Sequence, residues 1–162
     1  MFNAQENNII GKEAVPFIAD APRFGAHFGD YAHGIVVIPE EVSGVCEVRD
    51  RYDRDYVYQA LYRGGRQIDT NDPVTLRLHL PFIRRARGHV LVTNVGLGGF
   101  LYRLLRKPGV VHITVVEPDY DVLELVEPSF SKFADKVTFV HGSVEAVCAF
   151  ETFDDIYLGD AH

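Results

Sequence analysis

The residues that could bind a ligand follow four apolar stretches in the second half of the chain. The first stretch runs into a glycine turn, Asn94-Val95-Gly96-Leu97-Gly98-Gly99, and the second ends at Glu117, 21 residues after Gly96. Glycines permit a sharp turn and let a ligand approach the backbone closely, and the first N–H groups of a following helix then face that ligand. An acid such as Glu117 can accept hydrogen bonds from both ribose hydroxyls. The third and fourth stretches end at His141-Gly142-Ser143 and Gly159-Asp160, so the spacing predicts a nucleoside site.

A scaffold of alternating strands and helices is needed to hold these turns at one edge. The pattern predicts strands at Val90–Thr93, His112–Glu117, Val137–His141 and Asp155–Leu158, and helices at Gly98–Lys107, Tyr120–Val126 and Val144–Phe150. Apolar strands joined by such helices build a parallel sheet with right-handed crossovers. Ligands in these sheets bind beyond the carboxyl ends of the strands. We therefore predict an α/β fold with a Rossmann-like parallel sheet of four strands in residues 88–162.

The first half of the chain has a different pattern. Ile35–Ile38 and Val45–Val48 are typical of short strands, and Gly64-Gly65 supplies the positive φ angles of a tight hairpin turn. Asp72 followed by Pro73 is typical of a helix start, and we expect this helix to run to about Leu80, where Pro81 ends or kinks it. Residues 1–87 are thus predicted to form a small β-rich N-terminal region with a hairpin and a linking helix, followed by a nucleoside-binding domain over residues 88–162.

The glycine turn distinguishes between classes of nucleotide. Leu101 stands where a dinucleotide fingerprint needs its third glycine. The pair Gly98-Gly99 instead resembles the first motif of class I S-adenosylmethionine-dependent methyltransferases, and the polyamine (spermidine) synthase branch more closely still. The resemblance covers about residues 55–160. Val115–Asp119 resembles the family's acidic second motif, Asp135–Gly142 the strand that enters its third motif, and Phe153–Leu158 its fourth motif. Upstream, Gly64-Gly65 with Gln67 and Asp72 resembles the hairpin that precedes the nucleotide domain in polyamine synthases.

This resemblance implies a function for individual residues. The bound cofactor would be S-adenosylmethionine or its decarboxylated form, with its methionine portion on the turn, its ribose on Glu117 and its adenine edge on Ser143. The implied cofactor-binding residues are Asn94, Gly96, Gly98, Gly99, Glu117 and Ser143, and the implied substrate residues are Gln67 and Asp72. A substrate nucleophile would attack the sulfonium carbon, a reaction that depends mostly on alignment, with Asp160 as the general base. Nothing in the sequence identifies the acceptor.

Several positions depart from the family's pattern. Asn94 stands where methyltransferases often carry an acid, Ser143 replaces an aspartate, and Gly159 takes the place of the polyamine synthases' base, with Asp160 one residue later. A complete methyltransferase sheet has seven strands, of which we expect the last three to lie beyond His162. These departures favour a second hypothesis, a non-catalytic interaction or oligomerisation protein on a half-Rossmann scaffold. The edge of its fourth strand would be covered by another subunit, so a homo-oligomer is expected.

Composition excludes other classes of protein. The chain has 162 residues, 47% of them hydrophobic and 24% charged, as expected of one globular domain. Its net charge of −7 disfavours non-specific nucleic-acid binding, although nine basic and two acidic residues lie between Arg63 and Lys107. We expect no membrane span and no secretory signal, and we predict free thiols at Cys46 and Cys148 in a cytoplasmic protein. The seven histidines show no metal-ligand spacing, so no metal site is predicted.

Overall fold

The computed structural model describes residues 41–52 and 57–159, which form two four-stranded sheets. The first is antiparallel, with its strands in chain order: β1 (Val42–Ser43), β2 (Cys46–Tyr52), β3 (Val57–Arg63) and β4 (Arg66–Thr70). The second is parallel, in the order β7-β6-β5-β8: β5 (Gly88–Thr93), β6 (Val110–Glu117), β7 (Val137–His141) and β8 (Asp155–Leu158). The predicted Rossmann-like parallel sheet is confirmed. The predicted strand at Ile35–Ile38 and the predicted base Asp160 lie outside the described residues.

The strand order determines where the parallel sheet can bind a ligand. From β5 the chain moves outward through β6 to β7, and it then returns to place β8 on the other side of β5. The direction in which successive strands are added to the sheet therefore reverses between β5 and β8. A crevice opens at the carboxyl ends of these two parallel strands. The helices of the described region are α1 (Pro73–Leu78), α2 (Leu80–Arg85), α3 (Gly99–Leu105), α4 (Tyr120–Val126), a 3-10 helix (Glu127–Phe133) and α5 (Val144–Cys148).

The hairpin and the start of its following helix form as predicted, but the helix ends earlier. Gly64 and Gly65 have φ angles of 54° and 78°, as a primed two-residue turn requires. Asp72 caps α1 by accepting hydrogen bonds from the N–H groups of its second and third residues. The prediction of one helix to Leu80 is wrong, because α1 ends at Leu78 and α2 begins two residues later. Pro81 is the second residue of α2, where the backbone N–H that proline lacks would have no partner within the helix.

Two other predicted helices are shorter than expected at their carboxyl ends. The helix predicted over Gly98–Lys107 spans Gly99–Leu105, since Lys107 precedes Pro108 and a residue before proline disfavours helical backbone. The helix predicted over Val144–Phe150 ends at Cys148. Phe150 is 91% exposed, so no packing holds a further turn.

One hydrophobic core joins the two sheets. Cys46, Val48 and Leu61 of the antiparallel sheet belong to the same buried cluster as Val92 of β5 and Val115 of β6. A smaller cluster around Leu91, Val116 and Val147 fills the space between the parallel sheet and α5. This shared core fixes the hairpin against the parallel sheet, which places β4 above the carboxyl end of β5. No helix in the described part of the chain has the length and apolar character needed to cross a membrane.

Candidate functional site

A small cleft lies at the carboxyl ends of β5 and β8, where the strand order reverses. Its volume is about 120 Å³, and its walls come from β4, α1, the glycine turn, α3 and β8. A complete small-molecule pocket usually has roughly 300–1,000 Å³. The cleft therefore has room for only part of a small-molecule ligand. Two of the predicted site residues in the described region, Asn94 and Gly96, line the cleft. The other six do not: Gln67, Asp72, Gly98, Gly99, Glu117 and Ser143.

Asn94 fixes the two strand ends that border the cleft. Its φ angle is 55°, a left-handed conformation that asparagine tolerates better than most residues. Its side-chain amide donates to the carbonyl of Gly159 at 3.0 Å, and its backbone N–H donates to the carbonyl of Val116 at 3.1 Å. Asn94 therefore connects the turn after β5 to the end of β8.

Asp69 of β4 lies directly on the glycine turn. Its Oδ2 accepts a hydrogen bond from the backbone N–H of Leu97 at 2.7 Å. A Cβ atom on Gly96, which has a φ of 53°, would overlap this carboxylate, so glycine is needed for the approach. Sequence reasoning missed Asp69, because its only signal is an acid on a hairpin strand. Nothing local indicates that β4 crosses the glycine turn.

Gly98 and Gly99 are packed against apolar side chains. A Cβ on Gly98 would lie 2.6 Å from the ring of Phe130, and one on Gly99 would lie 2.7 Å from Leu76 Cδ2. Both distances are shorter than a van der Waals contact, so larger residues would displace α3 from its neighbours. Packing accounts for these two glycines in the structure, and their contact with a cofactor stays a prediction.

Glu117 connects the turns that follow β5 and β6. The side chain is 1% exposed, its Oε2 accepts the N–H of Val95 at 2.9 Å, and its Oε1 accepts the N–H of Asp119 at 3.0 Å. Because Glu117 is buried in this structure, its contact with a ribose stays a prediction.

The remaining predicted residues have separate surroundings. Ser143 is exposed at the start of α5, and exposed Gln67 accepts a hydrogen bond from the Tyr62 hydroxyl at 3.4 Å. Asp72 accepts hydrogen bonds from the hydroxyls of Thr70 and Thr75 in addition to its cap bonds. Burial alone would raise the pKa of Asp72, but the bonds from these hydroxyls and backbone N–H groups outweigh it and lower the pKa. Asp72 therefore stabilises α1 as an ionised cap.

A tyrosine–histidine pair forms the opposite wall of the cleft. The hydroxyl of Tyr157 and Nδ1 of His79 are 2.7 Å apart, and the His79 ring centroid is 4.9 Å from that of Phe100. Tyr157 alternates with exposed Ile156 and Leu158 along β8, which directs its side chain toward α1 and α2. The alternation along β8 could have identified the face of the sheet on which the Tyr157 side chain lies. Its pairing with His79 depends on the turn between α1 and α2.

Cys46, Asp119 and Asp121 form a separate cluster where β2 meets α4. Their Sγ and carboxylate oxygen atoms lie within 4.8 Å of one another, although the sequence spacing predicted no metal site. The Cys46 thiol donates to Asp119 at 3.7 Å, and Arg63 forms an ion pair with Asp119 at 3.3 Å. Burial, followed by the negative charge of Asp119, raises the pKa of the Cys46 thiol to about 11. At neutral pH the thiol is therefore a hydrogen-bond donor that helps hold β2 against α4.

Comparison with known proteins gives similarity at the level of structure. No protein-family model matches the sequence, and no curated protein matches it. Spermidine synthase from Thermotoga maritima is similar with a TM-score of 0.53 and 24% identity, over 73% of this chain and 46% of the synthase. A spermidine synthase in complex with the transition-state analogue AdoDATO has the same score and identity, over 73% of this chain and 44% of that one. A protein-L-isoaspartate O-methyltransferase is similar with a TM-score of 0.46 and 18% identity. The chain spans less than half the length of these proteins, and the likeness to the synthases establishes the shared fold.

Proposed function

We propose that this chain binds an S-adenosylmethionine-type nucleoside at the carboxyl edge of its parallel sheet and acts in a transferase. The observation that carries the proposal is the cleft between β5 and β8, with the glycine turn as one of its walls. Open parallel sheets bind their ligands where the strand order reverses. The fold shared with spermidine synthases supports the same assignment.

The proposed ligand would extend along the edge of the sheet. Its sulfur-bearing tail would enter the cleft beside Gly96, and its nucleoside would lie over the ends of β6 and β7. Glu117 pairs with His141 across these two strands, and Ser143 follows two residues later. The ribose and adenine residues proposed from the sequence are thus neighbours on one edge, on the side of β5 away from β8.

The proposed reaction is transfer of a carbon group from sulfonium to an acceptor. The acceptor's lone pair forms a bond to the sulfur-bound carbon, the carbon–sulfur bond breaks, and its electrons remain on a neutral thioether. A protonated acceptor needs a base. We assign this role to Asp160 from the sequence; it is the next residue in the chain after Gly159, which lines the cleft. The acceptor is outside the proposal.

Calorimetric titration with S-adenosylmethionine and S-adenosylhomocysteine tests the binding. We expect micromolar binding of both, and we expect Ser143→Ala to weaken it by roughly three- to tenfold through the loss of one hydrogen bond. Ser143 is exposed and its side chain makes no cap bond, so this variant should keep its fold. Ser131→Ala, an exposed serine on the 3-10 helix, is the matched control and should bind as the parent does. The absence of heat from a folded sample would refute the nucleoside proposal.

A second candidate function is that of an interaction protein, and the outer edge of β8 favours it. In the described part of the chain β8 is an edge strand, and its Ile156 and Leu158 are 46% and 69% exposed. An exposed apolar edge strand pairs readily with another chain. Light scattering coupled to size exclusion should then show a dimer or larger assembly that Leu158→Lys dissociates. A monomer at all concentrations would contradict this candidate.

A further inference from the structure

A second cavity lies along β7, on the opposite side of the parallel sheet from β8. It has a volume of about 670 Å³, within the range of roughly 300–1,000 Å³ that is usual for small-molecule pockets. One wall comes from α4 and the 3-10 helix, and the other comes from β7 and the turn before it. β6 separates β7 from β5, and this cavity is therefore distinct from the cleft described above.

The helical wall presents a row of side chains that the hydrophobic core does not use. Tyr120, Leu123, Glu124 and Glu127 line the cavity, and their spacing of three and four residues places them on one face of a helix. Another face of this helix packs in the main core through Val122, Leu125 and Val126. Leu123 is only 4% exposed but belongs to neither buried cluster, so the cavity has an apolar surface of its own.

Aromatic rings form much of the remaining surface. Phe139 of β7 lines the cavity, and its ring centroid is 5.9 Å from that of buried Phe130, which holds it against the core. The rings of Tyr120 and His141 meet edge to face, with their centroids 5.5 Å apart. Together with Leu123, these rings can pack against the apolar body of a ligand. The face of an aromatic ring also attracts a cation that lies over it.

The glutamates in the helical wall give the cavity a negative charge. Glu124 accepts a hydrogen bond from a serine hydroxyl of β1. Within the described residues, no hydrogen bond or ion pair engages the side chain of exposed Glu127. Lys132 of the 3-10 helix is not a lining residue, and its Nζ lies 5.2 Å from the ring centroids of Tyr102 and Phe133. Described basic side chains therefore do not neutralise the two carboxylates in the wall.

We propose that this cavity binds a small organic cation with an apolar body, of the arylalkylamine class. The apolar body packs against Leu123 and Phe139, and the ammonium group lies near Glu124 and Glu127, which are neighbours on the helix. A neutral or anionic ligand of the same shape gains no attraction from these carboxylates. The proposal goes beyond the proposed function and does not depend on it.

Three probes that share a phenyl ring and differ in charge test the proposal on the unaltered protein. At pH 7, 2-phenylethylamine is a cation, 2-phenylethanol is neutral and 3-phenylpropanoate is an anion. Titrations followed by amide chemical shifts in nuclear magnetic resonance measure each affinity and locate the binding. The amine should shift the amides of residues 120–134 and 137–141, and it should bind roughly three- to tenfold more tightly than the alcohol. The anion should bind more weakly than the alcohol.

Glu127→Gln removes one charge from the wall and keeps the shape of the side chain. It should weaken binding of the amine by roughly two- to fivefold and leave binding of the alcohol unchanged. The matched control is Glu145→Gln, which removes the same charge from an exposed position on α5, on the other face of the sheet. This control should bind both probes as the parent protein does.

Ala134→Leu tests the position of the site independently of charge. The larger side chain would project from an exposed alanine that lines the cavity, and it should weaken binding of the amine and of the alcohol by more than about threefold. Ala149→Leu, at an exposed alanine directly after α5, is the matched control and should bind both probes normally.

Several outcomes would overturn the proposal. These are the absence of saturable amine binding to the folded parent, equal binding of the amine and the alcohol, and shifts centred outside the cavity. An amine affinity that Glu127→Gln leaves unchanged, or that Glu145→Gln lowers equally, would also contradict it. None of these results bears on nucleoside binding, because the cleft and this cavity share no lining residue.

Discussion

Replacing Glu117 by glutamine should destabilise the protein even without a ligand. The carboxylate accepts two backbone hydrogen bonds, from Val95 at 2.9 Å and from Asp119 at 3.0 Å, in a site that is 1% exposed. A glutamine amide has one oxygen, so it can accept one of these bonds, and its NH₂ group must then face the other N–H. A hydrogen bond to a charged group contributes about 1.5–3 kcal/mol, and a buried donor without a partner costs about 1–3 kcal/mol. Because removing the buried charge recovers part of this loss, we expect a net cost of roughly 2–4 kcal/mol.

Urea denaturation followed by circular dichroism measures this cost. A chain of this size should lose about 2–4 °C of melting temperature per kcal/mol, so a shift of roughly 5–15 °C is expected in a thermal scan. The matched control is Glu127→Gln, at an exposed position, which should change the free energy of unfolding by less than about 0.5 kcal/mol. If Glu117→Gln is as stable as this control, the carboxylate does not hold the two turns together. Loss of nucleoside binding in such a stable variant would then identify Glu117 as a ligand residue.

Three further predictions concern Gly159 in the wall of the cleft, the helix cap Asp72 and the two cysteines. Gly159→Ala should cost about 1–3 kcal/mol of unfolding free energy in a urea titration, since its Cβ would lie 2.5 Å from the backbone oxygen of Thr93. Gly109→Ala should be nearly neutral in the same titration, since its Cβ would make only an ordinary contact of 4.0 Å with Arg87 Cβ. Asp72→Ala should cost about 1–2 kcal/mol at pH 7 by the same measurement, and Asp72→Asn should cost less because it still caps α1. Because folding lowers the pKa of Asp72, its carboxylate stabilises the folded protein above the unfolded pKa, and this stabilisation is lost as the pH falls through the folded pKa. A destabilisation by Asp72→Ala that stays unchanged in strong acid would contradict this. Native protein at pH 8 should react with a thiol reagent at exposed Cys148 and only slowly at buried Cys46, and rapid labelling of both would be inconsistent with the raised pKa of about 11. That pKa lies above the ordinary 9.0, so the stability that it contributes is present below pH 9 and is lost as the pH rises through 11.

The order and type of the elements around the glycine turn could be predicted from the sequence. Apolar strands alternating with short amphipathic segments specify a parallel α/β sheet, and Gly64-Gly65 and Asp72-Pro73 specify their turn and cap through local backbone preferences. The helix ends were less predictable. The break at His79 separates two helices where the local pattern allowed one, because a proline can stop a helix or start the next.

The contacts within the candidate site depended on tertiary structure. Glu117 stands at the predicted strand end, but burial and its two backbone partners come from the meeting of the turns after β5 and β6. His79 and Tyr157 are 78 residues apart and pair in one wall of the cleft, and Asp69 of the antiparallel sheet reaches Leu97 in the glycine turn. A linear pattern reports the periodicity of each element and its turn residues, which depend on near neighbours. Which side chain fills a turn depends on how one sheet packs on the other, and in this protein the shared hydrophobic core fixes that packing.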